Sequence, residues 1–335
     1  VTPARLDYRH LLRMSDDVGL FEHAAGPLPR REHGYCLDDV ARGLVVLSRE
    51  PWPELARLQE TFLAFTAHAH QNGRFHNRLG YDRRWQDTPG LGDWWGRALW
   101  GLGSTAAHAD RAWVRVAARA LFDDAARHRS PSPRAMVFAA LGAAELLAHH
   151  PQDGPSRDLL RATVTTIGPI PTAPAWPWPE PRLRYANAAV AEALIVAGSL
   201  LPDDDVLADG LRVLEWLVDL QTHRGRLSVV PAGGWAPGQG PPGFDQQPIE
   251  VAALAAACAR AHAVTGAPRW AATVRLARDW FLGVNDAGAR LADRSTGGCG
   301  DGLRADGVST NQGAESTLAL LSTFQLERHR MDVAV

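Results

Sequence analysis

Carboxylates, amides and indoles gather in this chain at the leading ends of a series of apolar segments. The densest cluster is Phe244-Asp245-Gln246-Gln247-Pro248-Ile249-Glu250, ahead of the Ala-rich run Val251 to Ala263. Comparable clusters are His33 with Asp38-Asp39, Asp93-Trp94-Trp95-Gly96-Arg97, Trp178-Pro179-Glu180 with Tyr185-Ala186-Asn187, and Asp301 with Asn311-Gln312-Gly313-Ala314-Glu315. Sugar chemistry needs such a set. Amides and carboxylates are planar partners for hydroxyls, and an indole offers an apolar face to a pyranose ring. Glycosidic cleavage takes two carboxyl groups, one protonated and one ionised. Asp39 and Asp245 lead for that work, with Asp93, Glu180 and Glu315 as rivals. Candidate substrate contacts are His33, Asp38, Trp94, Trp95, Arg97, Trp178, Tyr185, Asn187, Gln246, Gln247, Glu250, Asp301, Asn311, Gln312 and Glu315.

Plainer roles compete for the same residues. Asp38, Asp93 and Asp245 also suit helix N-caps, although a cap requires neither the adjacent pair Asp38-Asp39 nor the amide run Gln246-Gln247. Glu315, one turn inside an apolar segment, needs a partner such as Arg97 if it is buried. Trp100 and Trp113 read as core. His68 and His70 lie two apart and share no helix face, so no metal site is expected with His76. Cys36 beside His33 reads as a small buried residue rather than a nucleophile. Gly101-Leu102-Gly103-Ser104-Thr105-Ala106 matches the loose dinucleotide fingerprint but follows a helix, not a strand. Asp203-Asp204-Asp205 reads as a cap and a solvated turn.

The segments that position these groups are helical almost throughout. Leu6–Met14, Leu37–Leu47 and Glu54–Ala69 open the chain, with Glu50-Pro51-Trp52-Pro53 as a short connection. A unit then recurs: a helix with one charged face, a Gly-x-apolar turn (Gly19, Gly73, Gly225, Gly288), a long polar loop, an apolar helix and a short return. The apolar helices are Arg97–Ala107, Ala135–Ala148, Ala186–Leu200, Val251–Ala263 and Ala314–Phe324, and a helix apolar on most faces is a buried one. About six such units, with two degenerate ones near Arg129–Pro133 and Gly168–Pro179, predict an all-α (α/α)6 toroid over 1–335 as a single domain, with short β turns in its long loops. Leu6–Met14 would close the outer ring; an open solenoid should end in polar capping helices, whereas Thr317–Phe324 is apolar. In a closed ring every long loop and every inner N-terminus shares one rim, where a pocket is expected.

Composition narrows the classes further. Net charge is −2 with no lysine, which gives no footprint for nucleic acid or an anionic membrane. No apolar run is long enough to span a bilayer and no signal peptide is recognisable. Three cysteines make no disulfide framework, so a cytoplasmic location is expected.

Five blocks carry a resemblance that spans nearly the whole chain. They are His33-Gly34-Tyr35-Cys36-Leu37-Asp38-Asp39-Val40-Ala41-Arg42, Gly96-Arg97-Ala98-Leu99-Trp100, Trp178-Pro179-Glu180 with Tyr185-Ala186-Asn187-Ala188, Phe244-Asp245-Gln246-Gln247-Pro248, and Asn311-Gln312-Gly313-Ala314-Glu315-Ser316-Thr317. Together they resemble a bacterial family of (α/α)-toroid proteins found alone or fused to glycosyltransferase modules. The chain departs from that family's pattern at Val40 and Ala186, where Asn and Asp are usual. The Asp38-Asp39 pair also resembles the paired aspartates of (α/α)6 endo-mannanases. The resemblance implies the toroid fold and a carbohydrate context, with a glycosyltransferase as a candidate partner. The expected activity is an inverting glycoside hydrolase, or a phosphorylase using the same acid, acting on an oligosaccharide such as a mannoside or glucoside without cofactor or metal. A sugar epimerase or isomerase, which works through histidines, and a non-catalytic sugar-binding module are the alternatives.

Overall fold

Alternation of amphipathic with wholly apolar helices dictates two concentric layers. The computed structural model describes residues 5–50, 52–240 and 243–333, with side chains through 328; Pro51 lies outside them. In chain order the helices are α1 (Arg9–Arg13), α2 (Leu37–Ser48), α3 (Pro53–Ala69), α4 (Asp93–His108), α5 (Ala112–Ala125), α6 (Pro133–His149), α7 (Gly154–Ile167), α8 (Asn187–Leu200), α9 (Asp204–Leu220), α10 (Pro248–Thr265), α11 (Pro268–Phe281) and α12 (Ala314–Val333). The even-numbered helices form the inner ring. Each packs on the next, and α12 returns to α2, so the ring closes as an (α/α)6 toroid.

Small residues let the inner helices approach closely. A Cβ on Gly142 of α6 would lie 2.2 Å from the Leu99 carbonyl oxygen of α4, and one on Gly96 would lie 2.0 Å from that of Ala135. Closure between α12 and α2 is stitched by Gln325, whose Nε2 donates to the Val46 carbonyl (2.9 Å) and to Tyr8 Oη (3.1 Å). The segment expected to complete the outer ring does lie on α12, but only Arg9–Arg13 of Leu6–Met14 is helical. The units read as degenerate are full hairpins, α5 to α6 and α7 to α8; only the 126–132 connection is short.

Long connections run on one rim and short returns on the other. Asn72-Gly73 and Arg224-Gly225 each have positive φ at both residues, which makes tight hairpins of the turns expected there. Asp203 caps α9 as expected, accepting from the Val206 N–H (3.1 Å). Trp113, read as core, is 55% exposed on α5, whereas Trp100 is half-buried and stacks on Phe138. The three cysteines are free and buried. Among the described residues, no helix is long and apolar enough to cross a membrane.

Candidate active site

Each inner helix presents a polar side chain in its first turn, because α4 and α10 begin earlier than their apolar runs: at Asp93 rather than Arg97, and at Pro248 rather than Val251. Capping of these N-termini is largely done by other elements. Asn77 Oδ1 accepts from the Asp38 N–H at the start of α2 (3.3 Å). Glu250 on α10 accepts from the Ala186 and Asn187 N–H groups at the start of α8, whose own N-cap Ala186 has no side-chain oxygen. Asp301 Oδ1 accepts from the Gly313 N–H ahead of α12 (2.8 Å). Asp38, in the first turn of α2 beside Asp39, is thereby free of the capping role that competed for it.

These groups sort into two halves of the rim. On the side of α12 and α2 lies a pocket of about 310 Å³, lined by Glu22, His23, Cys36, Asp38, Asp39, Arg42, Arg78, Gln247, Asp301, Gly313, Glu315 and Ser316. Arg42 is its hub: Nη1 meets Asp39 Oδ1 at 2.5 Å and Nη2 meets Glu315 Oε2 at 2.6 Å. Arg78 pairs with Glu22, and Asn311 holds Asp301 while accepting from the Ala24 N–H at 2.8 Å. Asp38 Oδ1 lies 3.3 Å from Arg97 Nε, an ion-pair distance without hydrogen-bond alignment. The Arg97 guanidinium stacks 3.8 Å over the Phe138 ring, and burial, then Arg42, holds its pKa down to about 10.

Asp39 is 3% exposed, and burial pushes its pKa up to about 7 against the pull of Arg42. The direction follows from the local charge: carboxyls Glu22, Asp38, Asp39, Asp301 and Glu315 outnumber guanidiniums Arg42, Arg78 and Arg97, so one carboxyl gains by keeping a proton. Burial also raises Asp301. Cys36 is held well above the usual thiol range by burial, then by Asp39 and Asp38, so it stays a thiol and not a nucleophile.

The other half of the rim is tied together by hydrogen bonds. Ser132 Oγ donates to Asp93 Oδ1 (2.9 Å), and burial raises Asp93 despite that bond. Arg134 Nη2 donates to Glu180 Oε2 (2.9 Å) and to Asn187 Oδ1 (3.4 Å), its Nε donates to the Tyr185 carbonyl (3.2 Å), and its guanidinium lies 5.6 Å from the Trp178 ring. Asn187 Nδ2 donates to Glu250 Oε2 (3.0 Å), and burial raises Glu250 to about 7.

Several expectations are corrected. Asp245, the expected cap and catalytic partner of Asp39, is exposed in the loop; Gln247 holds the N-cap position, so the helix begins too late for Asp245 to reach it, and Asp245 does not line the pocket. Gln246 is fully buried, donating to Asp286 Oδ2 (2.7 Å) and accepting from Trp280 Nε1 (3.0 Å), so it latches loops together. Gln312 does likewise with Asp293 and Thr296. Trp95 is fully buried and donates to the Gly73 carbonyl (3.2 Å); Trp94 donates to that of Phe75 (2.8 Å); Trp178 is 1% exposed. Trp95 and Trp178 are too deeply buried to offer a sugar platform, while the half-buried Trp94 is tied to a rim loop. Glu250 caps α8, and Asp93, Glu180, Asn187 and Tyr185 lie on the other half of the rim, outside the pocket lining. Glu315 pairs with Arg42, not Arg97. His33 sits at the lip, edge-on to His23 at 4.9 Å. His76 is drawn away to Asp87 and stacks on Trp85.

Sequence reasoning missed Arg42, Arg134, Glu22, His23 and Arg78. Arg42 lies three residues after Asp39 on the same helical face, a signal that could have found it. Glu22 and His23 come from an irregular loop with none. Among the described residues, Glu22, Cys36 and Asp39 alone have donor atoms spaced for a metal, within 4.8 Å of one another. Each of these carboxylates already carries a guanidinium, and the thiol is held protonated, so the trio suits arginine pairing better than a cation.

Beneath the Arg42–Glu315 pair the ring axis continues as a space of about 60 Å³ walled by Trp100, Phe138, Ile249 and Leu318, with Glu192 facing it. Glu192 is 6% exposed, and burial raises it to about 7, partly offset by Arg260 and Arg49. Folding therefore favours its protonated form. The contribution is full below the ordinary value of 4.5 and is lost as pH rises through about 7. Glu192→Gln is expected to stabilise the protein at pH 8 by up to ~3 kcal/mol while changing little near pH 4.5. Thermal melts at the two pH values check this; equal shifts at both would remove the ionisation as the cause.

No family model and no curated protein sequence matches the chain. Solved structures do match in fold. A cellobiose 2-epimerase from Bacillus thermoamylovorans has TM-score 0.72 and 10% identity, covering 96% of each chain. A sugar epimerase from a ruminal bacterium has TM-score 0.69 and 12% identity, covering 95% of each. An inactive variant of an α-1,6-mannanase of Salegentibacter sp., with two consecutive aspartates changed to asparagine and α-1,6-mannotriose bound, has TM-score 0.65 and 10% identity, covering 96% of each. At such identity the likeness is one of fold, and all three are similar to this chain over nearly its whole length.

Proposed function

We propose that this chain is a glycoside hydrolase acting on an oligosaccharide such as a mannoside or glucoside, with the α12–α2 pocket as its active site. One observation carries the reading: Asp39, raised to about 7 by burial, lines the pocket together with Glu315 and shares Arg42 with it. Asp39 donates its proton to the leaving glycosidic oxygen. Glu315, with a side chain 39% exposed, takes the proton of the attacking water. An inverting outcome accompanies the assignment by analogy of fold. The α-1,6-mannanase inactivated at two consecutive aspartates supports it, since Asp38-Asp39 is a consecutive pair on α2. Three free buried thiols suit a reducing cytoplasm, and work beside a glycosyltransferase belongs to the same proposal.

A second reading rests on the His23–His33 pair at the lip, with His23 lining the pocket, and on the epimerases of the same fold. Paired histidines can move a proton beside a carbonyl. The deciding experiment assays α- and β-mannosides and glucosides for released reducing sugar, and incubates free sugars in heavy water. Release from any glycoside supports the hydrolase. Deuterium at carbon without release transfers the site to epimerisation, and neither result withdraws the enzyme reading.

A further inference from the structure

Resting on that carbohydrate reading, we propose that the pocket accepts a single terminal sugar residue, or a free mono- or disaccharide, and not the interior of a polysaccharide. Three observations carry this. At about 310 Å³ the cavity is at the small end of ligand pockets. Its floor is the Arg42–Glu315 ion pair; both residues also line the axial space below, which at about 60 Å³ has room for ordered water but not for a sugar ring.

The third observation is the state of the opposite rim. A chain bound at its middle needs a cleft running across the mouth, with polar groups and aromatic faces on both sides. Here Arg134, Asn187 and Glu250 are 6%, 0% and 4% exposed and bond to one another, and Trp178 is 1% exposed. Their hydrogen-bonding capacity is spent within the protein, and uncovering them would leave buried charges unpaired. Glu180 on that rim keeps a side chain 24% exposed but is tied to Arg134, whereas on the pocket side Glu315 has a side chain 39% exposed. Among the described residues the Gln247 side-chain amide makes no hydrogen bond and faces the cavity with His23, Asp301 and Glu315, ready for the hydroxyls of one ring.

Titration calorimetry tests this on the full chain carrying Asp39→Asn, which is expected to slow turnover, with circular dichroism to confirm folding. The probes are α-1,6-manno-, cello- and malto-oligosaccharides of one to six units. In the series that binds, affinity is expected to be reached by the disaccharide and to change by less than about threefold from there to the hexasaccharide. A larger rise with length would reveal consecutive subsites and overturn the single-residue pocket while leaving the carbohydrate reading intact. Binding of no saccharide overturns both. A time course with the unmodified chain gives a second readout: monosaccharide as the first product supports the pocket, and internal fragments appearing first overturn it.

Discussion

Asp39→Asn is expected to lower kcat by about 10²–10⁴-fold on any glycoside the protein cleaves, the usual worth of a positioned proton donor. The amide keeps the size of the carboxyl and can still accept from Arg42 Nη1, so folding should survive. What it loses is a proton to give. In the unsubstituted protein kcat/KM should fall as pH rises through about 7, because Asp39 is raised to that value and surrenders its proton there. The variant should lack that limb. Steady-state kinetics between pH 5 and 9 measure both effects, and full activity in the variant would remove Asp39 from the mechanism.

Arg42→Met is expected to cost about 3–5 kcal/mol at pH 8, the price of stranding charges in a buried network. Arg42 is shared by Asp39 and Glu315, with its side chain 13% exposed, and Asp38 and Glu22 crowd the same space. Methionine fills much of the volume, so the loss should be electrostatic. Acid should then repair part of it: near pH 5 protonation of Asp39 removes one of the stranded charges. Urea unfolding at pH 8 and pH 5 separates the causes, since an equal loss at both would indicate packing alone.

The ring was legible in the sequence because burial on all sides leaves an unmistakable composition: the Ala- and Gly-rich runs became α4, α6, α8, α10 and α12. Asp38-Asp39 was legible for a related reason, as two charges at the head of an apolar helix need a purpose. The fate of the other polar residues was not, because it depends on which neighbour they meet. Asp245 and Gln246 are adjacent, yet one is exposed and the other fully buried against Asp286 and Trp280, far along the chain. Glu250, a candidate substrate contact from its place at the head of its own helix, caps α8 instead, because Ala186 cannot. Arg134, in the unpromising run Ser132-Pro133-Arg134, anchors half the rim because the ring sets α6 beside α8. Helix identity is a local property of composition; pairing is a property of closure.

That closure places the pocket at a seam. Asp38, Asp39 and Arg42 stand on the first inner helix to leave the ribosome, and Glu315 and Ser316 on the sixth. Joining them closes a loop spanning most of the molecule, an entropic debt settled late because distant contacts form only after local hairpins have done so. A nascent chain that has not yet made α12 therefore has one wall of a binding site and no second. The pocket is complete only when the sixth helix docks and Glu315 reaches Arg42.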